Sequence, residues 1–505
     1  MNLGTLLEER ASREKNRNFL YFEGYQLSYW EFFQRVKALA SGLIELGLEP
    51  GDRVGFILGN CPEFLESFYA VIYAGGVAVP LNSQWKAGEL YYPLQNSGAR
   101  FVIFSEDQAK KILSMDKEGL ELEKFITTGK KHSPDWLSYN EIFSDKEIDC
   151  QVKNENDLAG LIYTSGTTGK PRGVMLTHKN YLANVSQINS VLEIYETDRV
   201  LGILPPFHVL GQMTLLIHPV YSGSSLVLLG EFSPRKLISA LKDYQITIFS
   251  GVPTVYAILN NLPYVEDVSF PHLRFATCGG APLSVEVLEK FEKKYKVEIL
   301  EGYGLSEATC ACTLNPPGGK RKPGSVGPAL PGVKIKIVDA QGKELETGEV
   351  GEIWVSGENV MPGYFQNPRE TQEVLKDGWL NTGDLGYCDH DGYFYIKGRK
   401  KELIIRGGEN IYPREIEEVL LAHPGVEEVA VIGIPDRIWG EEVGAFIVPK
   451  KGVELKISEL NEFCHKYLAD YKCPKLWKII PELPRSGTGE ILKQKVFEKY
   501  WLGAG

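Results

Sequence analysis

Residues 163–174, YTSGTTGKPRGV, place three glycines, four aliphatic hydroxyls and two cations within one short stretch. Glycines let backbone N–H groups approach a polyphosphate closely, and the hydroxyls of Thr164, Ser165, Thr167 and Thr168, with Lys170 or Arg172, can bond its oxygens. Gly166 and Gly169 add the close approach within the loop itself. That chemistry suits a nucleoside triphosphate. The loop is not a Walker A sequence, because GxxxxGK[ST] needs two more residues between its glycines and a hydroxyl after the lysine, where this chain has Pro171. On composition alone, a Gly/Thr-rich surface turn is the competing reading.

Further motifs follow in order: PPFHVLG from 205, CGGAP from 278, EGYGLSEAT from 301, TGD from 382, GRKKELIIRGGENIYP from 398 and PRSGTGEILK from 484. Together with the loop, this series resembles the signature motifs of the adenylate-forming superfamily, which includes acyl-CoA synthetases, peptide-synthetase adenylation domains and beetle luciferases. The resemblance spans nearly the whole chain. It implies ATP-dependent activation of a carboxylic acid as acyl-AMP, followed by transfer to coenzyme A.

The resemblance carries roles to individual positions. Mg²⁺ falls to Glu307 with help from Thr164. The nucleotide is assigned to the loop residues 164–170, to Gly280, Ala281 and Pro282, to Glu301, Gly302, Tyr303, Gly304 and Ser306, and to Asp384 and Arg399. Asp384 matches the aspartate that bonds the ribose hydroxyls. His208 borders the acyl pocket, with Val209, Met213, Gly251, Val252 and Gly279 as its lining. Lys401 matches the hinge residue, and Arg406, Gly407, Gly408 and Glu409 the pantetheine path of CoA. Amino-acid-activating relatives place an aspartate at the His208 position. Here neither His208 nor its neighbours Val209 and Leu210 are acidic, so the expected substrate lacks an α-amino group.

One position departs from the pattern. The family normally has a lysine after the second glycine of PRSGTGEILK, contacting the substrate carboxylate and the α-phosphate, and here that position is Glu490. A carboxylate would repel both partners; unit charges 4 Å apart interact by about 4 kcal/mol at an effective dielectric near 20. Lys493, three residues on, is the candidate substitute. The alternatives left open are a residue changed to trap one state and a chain whose adenylation is impaired.

These residues need a scaffold, and the apolar runs supply one. RVGFILGN, FVIFS, SSLVLLG and ITIFSGVP alternate with amphipathic stretches over the first 300 residues, which predicts α/β architecture with buried strands. Ser28 and Glu31 form a capping box ahead of Val36, Leu39, Leu43 and Leu46, with Gly47 to end the helix, and a second helix is predicted to start at Asn60 and Pro62 and to end near Gly75. From about 315 onward, VKIKIVD, GEIWVSG and GYFYIKG predict a β-rich subdomain. After 400, EIEEVLLAH, VEEVAVIGIP, VGAFIVPK and a helix over 458–468 predict a small α+β module. The expected organisation is residues 1–400, comprising two α/β subdomains and the β-rich one, and a mobile domain over 401–505.

Bulk composition sets outer limits. A chain of 505 residues is expected to hold more than one domain. Its net charge of -11 argues against a nucleic-acid partner, and its eight cysteines lack the spacing of a zinc site or disulfide framework. No run approaches the ~20 apolar residues of a membrane span. A cytoplasmic enzyme is expected, with peripheral lipid contact left open and the oligomeric state unread. A medium- or long-chain fatty acid is the expected substrate and an aryl acid the alternative. Loading of a carrier protein is a further alternative acceptor reaction.

Overall fold

The structure is a computed structural model that describes residues 1–164, 170–262, 269–485 and 491–502. Its fold is a mixed α/β architecture, and the chain divides into two compact units: residues 1–283, 287–334 and 355–380, and residues 284–286, 335–354 and 381–505.

The first unit is built on two sheets. A seven-stranded sheet runs Trp136–Ser138, Lys124–Thr127, Ala99–Phe104, Arg53–Ile57, Val77–Pro80, Leu158–Thr164 and Arg172–Thr177. All neighbours are parallel except the last pair. An eight-stranded sheet has Arg199–Gly202, Ser225–Leu228, Ile248–Gly251, Phe275–Cys278 and Ile299–Tyr303 as its parallel centre. Strands such as Ser225–Leu228 and Ile248–Gly251 are buried along their whole length, which is why they read as unbroken apolar runs. Asn18–Phe22 joins this sheet parallel to Ser225–Leu228. That pairing links residues some two hundred positions apart, and no local periodicity announces it.

The helix signals are met in detail. Ser28 caps Tyr29–Glu45, accepting from the backbone of Glu31 while the Glu31 carboxylate accepts from the backbone of Ser28. Val36, Leu39 and Leu43 are buried on its inner face. Gly47 follows at φ +98°, a conformation open to glycine without strain. The second predicted helix spans Pro62–Tyr73, with proline at its first position.

The second unit holds residues 335–338 of the strand Lys334–Val338, residues 351–354 of the strand Gly351–Ser356, the strand Phe394–Arg399 and the C-terminal module. In the module, Val426–Asp436 and Gly440–Pro449 form a long antiparallel ribbon, joined in parallel by Leu476–Ile479. Helices Pro413–Leu421 and Ile457–Tyr467 bury Ile416, Leu420, Leu460 and Cys464 against Val429, Val431 and Ile447. The expected boundary near Lys401 falls inside this unit.

Among the described residues no helix is long and apolar enough to cross a membrane. No disulfide joins any of the eight cysteines. Two histidines are sealed in the first unit: His178 Nδ1 accepts from Leu3 N–H at 3.3 Å, and His218 Nε2 lies 2.9 Å from Asn189 Oδ1. Burial pushes both imidazoles down to about 4. The folded state therefore takes up a proton less readily than the unfolded chain, so stability is full above pH 6.5 and falls as pH drops toward 4. Each imidazole accounts for up to about 3 kcal/mol of this loss. Melting temperatures between pH 7 and 4 should fall steeply, and His218→Gln should flatten the slope; an unaltered slope contradicts the assignment.

Candidate active site

Strand Leu158–Thr164 enters the phosphate loop and Arg172–Thr177 leaves it, with Thr164 opposite Arg172. Tyr163 fixes the stem by donating its phenol hydrogen to Asn96 Oδ1 at 2.8 Å. Thr164 thus stands at the mouth of the loop. Lys170 stands at the exit with Nζ 5.3 Å from the Tyr92 ring centroid. Ser165, Gly166, Thr167, Thr168 and Gly169 lie outside the described residues.

The exit strand is gripped on its other edge by residues 363–365. Met175 N–H donates to Gly363 O at 3.1 Å and Phe365 N–H to Gly173 O at 2.8 Å. Between these bonds, Tyr364 sends its phenol to Glu307 Oε1 at 2.8 Å. The Arg172 guanidinium lies 5.2 Å from the Tyr364 ring centroid and pairs with Glu370. Glu307 belongs to the 3₁₀ turn Ser306–Ala308. That turn is tied down by Met361 N–H to Glu307 O at 2.8 Å, Thr309 Oγ1 to Asn359 O at 2.6 Å, and Asn359 Nδ2 to Ala308 O at 3.2 Å. Thr309 adopts φ +69°, uncommon for a side-chain-bearing residue, and these bonds hold it there.

The residues expected around nucleotide and acyl group converge on the C-terminal ends of the eight-stranded sheet. Gly251 and Cys278 are paired at the ends of their strands. A Cβ at Gly279 would lie 3.8 Å from Leu210, and one at Gly280 3.7 Å from Val252, so PPFHVLG, the Gly251–Val252 corner and CGGAP share one region. Gly280 takes φ +79°, which suits glycine in that turn. Glu301 is buried and its Oε1 accepts from Leu283 N–H at 3.2 Å, so it braces the residue after the CGGAP turn. Tyr303 pairs with Thr313 across the sheet edge, and Gly304 is required by close packing, since a Cβ there would fall 1.8 Å from Cys310 O.

His208 caps helix Val209–Gln212, with Nδ1 accepting from Leu210 N–H at 3.4 Å. The proton of the neutral ring then sits on Nε2. Burial pushes this imidazole down to about 4, so it carries no charge near pH 7. Val209 and Met213 are buried, and the helix widens into a π turn over Met213–Ile217, a form frequent at functional sites.

In the second unit Asp384 faces Arg399 across two antiparallel strands, with Arg399 Nε 3.6 Å from Asp384 Oδ1. Lys401 lies exposed in the 3₁₀ turn Lys400–Glu402. Arg406 pairs with Glu442 at 2.7 Å beneath the Trp439 ring, Gly407 and Gly408 form the tip of the hairpin at φ +59° and +91°, and Glu409 lies opposite Arg406. A Cβ on Gly407 would lie 2.7 Å from Trp439, so the hairpin needs glycine. Glu490 lies outside the described residues. Lys493 is bound 2.8 Å from Glu417 and 3.1 Å from Glu402. Burial opposes its charge, but the two carboxylates outweigh burial and raise its pKa.

Residues 7–365 match the family model described as "AMP-binding enzyme", and residues 415–490 match "AMP-binding enzyme C-terminal domain". This chain belongs to the AMP-binding enzyme family. It is 37% identical to a long-chain-fatty-acid–CoA ligase of Bacillus subtilis, over 98% of this chain and 94% of that protein. It is 35% identical to a feruloyl-CoA synthase of an Amycolatopsis species, covering 99% of both. ATP-bound MatB from Rhodopseudomonas palustris superposes with a TM-score of 0.91 at 33% identity, covering 99% of both chains. As an AMP-binding enzyme the chain is an ATP- and CoA-dependent acid–thiol ligase that forms AMP. The motifs CGGAP and PPFHVLG and the Gly251–Val252 corner share one region of the first unit. The motifs did not reveal the Tyr364 contact to Glu307 or the double pairing of Lys493, both of which link positions far apart in the chain.

Lys493 ties the turn containing Lys401 to helix Pro413–Leu421, so removing its charge leaves two carboxylates facing each other. Lys493→Met should lower stability by about 2 kcal/mol in thermal or denaturant unfolding. An unchanged melting temperature contradicts this structural role.

Proposed function

We propose that this ligase activates a medium- or long-chain fatty acid. The observation that carries the reading is the character of the residues around His208. Val209, Leu210, Met213, Gly251, Val252 and Gly279 are apolar or glycine and His208 itself is neutral, so these residues offer no fixed charge to an α-ammonium or to a second carboxylate. The resemblance to the Bacillus ligase supports the same class, and the resemblance to the feruloyl-CoA synthase supports an aryl acid as the second reading.

In the first half-reaction a carboxylate oxygen attacks the α-phosphorus of ATP and pyrophosphate leaves. In the second, the CoA thiol sulfur attacks the acyl carbon, AMP leaves with the bonding pair, and the thiol proton passes to solvent. In this proposal the loop backbone, Thr164 and Lys170 orient the triphosphate and Asp384 bonds the ribose. A glutamate and a threonine hydroxyl are hard oxygen donors, a set that fits Mg²⁺ with few protein ligands, so Glu307 and Thr164 are the residues that would hold it. When bound, the cation supplies charge neutralisation at the phosphates. The Nε2–H of His208 can donate to an acyl oxygen. Lys401 is proposed as the residue at which the backbone turns between the half-reactions, and residues 406–409 as the wall of the CoA arm. A cytoplasmic location accords with this reading.

Glu490 limits the first step. In this structure Lys493 is committed to Glu402 and Glu417, and that weakens the case for it as a substitute. The test is pyrophosphate exchange and hydroxamate formation over a panel of fatty, aryl, dicarboxylic and amino acids, with and without Glu490→Lys. Fatty acids should give the highest kcat/KM, and Glu490→Lys should accelerate exchange by tenfold or more, which corresponds to about 1.4 kcal/mol. Aryl acids leading the panel would favour the second reading. Exchange unmoved by Glu490→Lys would contradict the role given to that position.

A further inference from the structure

Tyr364 belongs to none of the motifs that announced the site, yet its phenol touches the carboxylate assigned to the metal. The ring is buried, 4% exposed, and its O–H lies 2.8 Å from Glu307 Oε1. A phenol O–H facing a carboxylate oxygen at this distance donates to it.

What makes the contact more than incidental is how firmly Tyr364 is aimed. Gly363 before it takes φ +151°, and a Cβ there would fall 2.6 Å from Thr371. The Tyr364 N–H donates to Thr371 Oγ1 at 2.9 Å, while Tyr364 pairs with Val174 in an antiparallel bridge to the strand leaving the phosphate loop. Arg172 lies against the ring and is itself held by Glu370. The Glu307 backbone is held independently by Met361 N–H. One side chain thus joins the phosphate-loop hairpin to the carboxylate of a different segment.

We propose that Tyr364 is a positioning residue that fixes the Glu307 carboxylate, through Oε1, in register with the phosphate-loop strand, so that the metal–nucleotide complex meets a preorganised ligand. The proposal rests on the reading of Glu307 as the Mg²⁺ ligand. Hydrogen-bond partners of metal-ligating carboxylates typically change metal affinity by roughly 10- to 100-fold when removed. The bond also restrains rotation of the Glu307 carboxylate toward other donors.

The test uses the full chain saturated with ATP, without acid or CoA, titrated with Mn²⁺ and read by electron paramagnetic resonance, for the parent, Tyr364→Phe, Glu307→Gln and the double variant. Melting temperatures set a measuring temperature at which all four are folded. Tyr364→Phe should weaken Mn²⁺ binding about tenfold and raise the KM for metal–ATP more than it lowers kcat, and it should add little once Glu307→Gln is present. If Glu307→Gln weakens binding and Tyr364→Phe stays within twofold of the parent, the positioning role is overturned and the ligand reading stands. An equal effect of Tyr364→Phe in both backgrounds also overturns it. If Glu307→Gln itself changes nothing, the ligand reading fails and takes the positioning role with it.

Discussion

A loop proposed to bind phosphate must have its two ends held still, and here that constraint is met by strand pairing on both sides of one segment. Arg172–Thr177 bonds Leu158–Thr164 along one edge and the backbone of residues 363–365 along the other. The first pairing sets the separation of the loop's ends. The second brings Tyr364, and through it Glu307, into fixed relation with the same strand. The two ends of the loop and the Glu307 carboxylate in the first unit therefore share a single mechanical reference.

Around this reference the rest of the first unit is arranged by sheet ends. Parallel strands deliver their C-terminal residues to a common edge, so Gly251, Cys278 and the CGGAP turn meet there without any local sequence relation between them. Glycine is needed where backbone crowds backbone, as at Gly304, and a short capped helix supplies the neutral His208. Glu301, placed by resemblance among the nucleotide-binding residues, accepts from Leu283 N–H through its Oε1.

Much of this was legible beforehand because the features concerned are local. The capping box at Ser28, the proline-led helix at Pro62 and the fully apolar runs of the parallel strands each carry their own cause within a few residues. Illegible were the long-range pairings: Asn18–Phe22 beside Ser225–Leu228, Tyr364 on Glu307, and Lys493 between Glu402 and Glu417. Those depend on where the chain returns to, and no periodicity encodes that. Lys493 shows the difference sharply. Its spacing from Glu490 made it a candidate for chemistry, whereas its surroundings make it an internal tie of the second unit.

The central claim is that this AMP-forming ligase works through an acyl-adenylate, with carboxylate oxygen bonded to the α-phosphorus before the thiol attacks. Oxygen tracing tests it most directly: the acid is labelled with ¹⁸O in both carboxylate positions, turned over with ATP and CoA, and the products are analysed by mass spectrometry. The account predicts one ¹⁸O in the phosphate of AMP for each thioester formed. Label in inorganic phosphate with release of ADP, or thioester formed with unlabelled AMP, would contradict it.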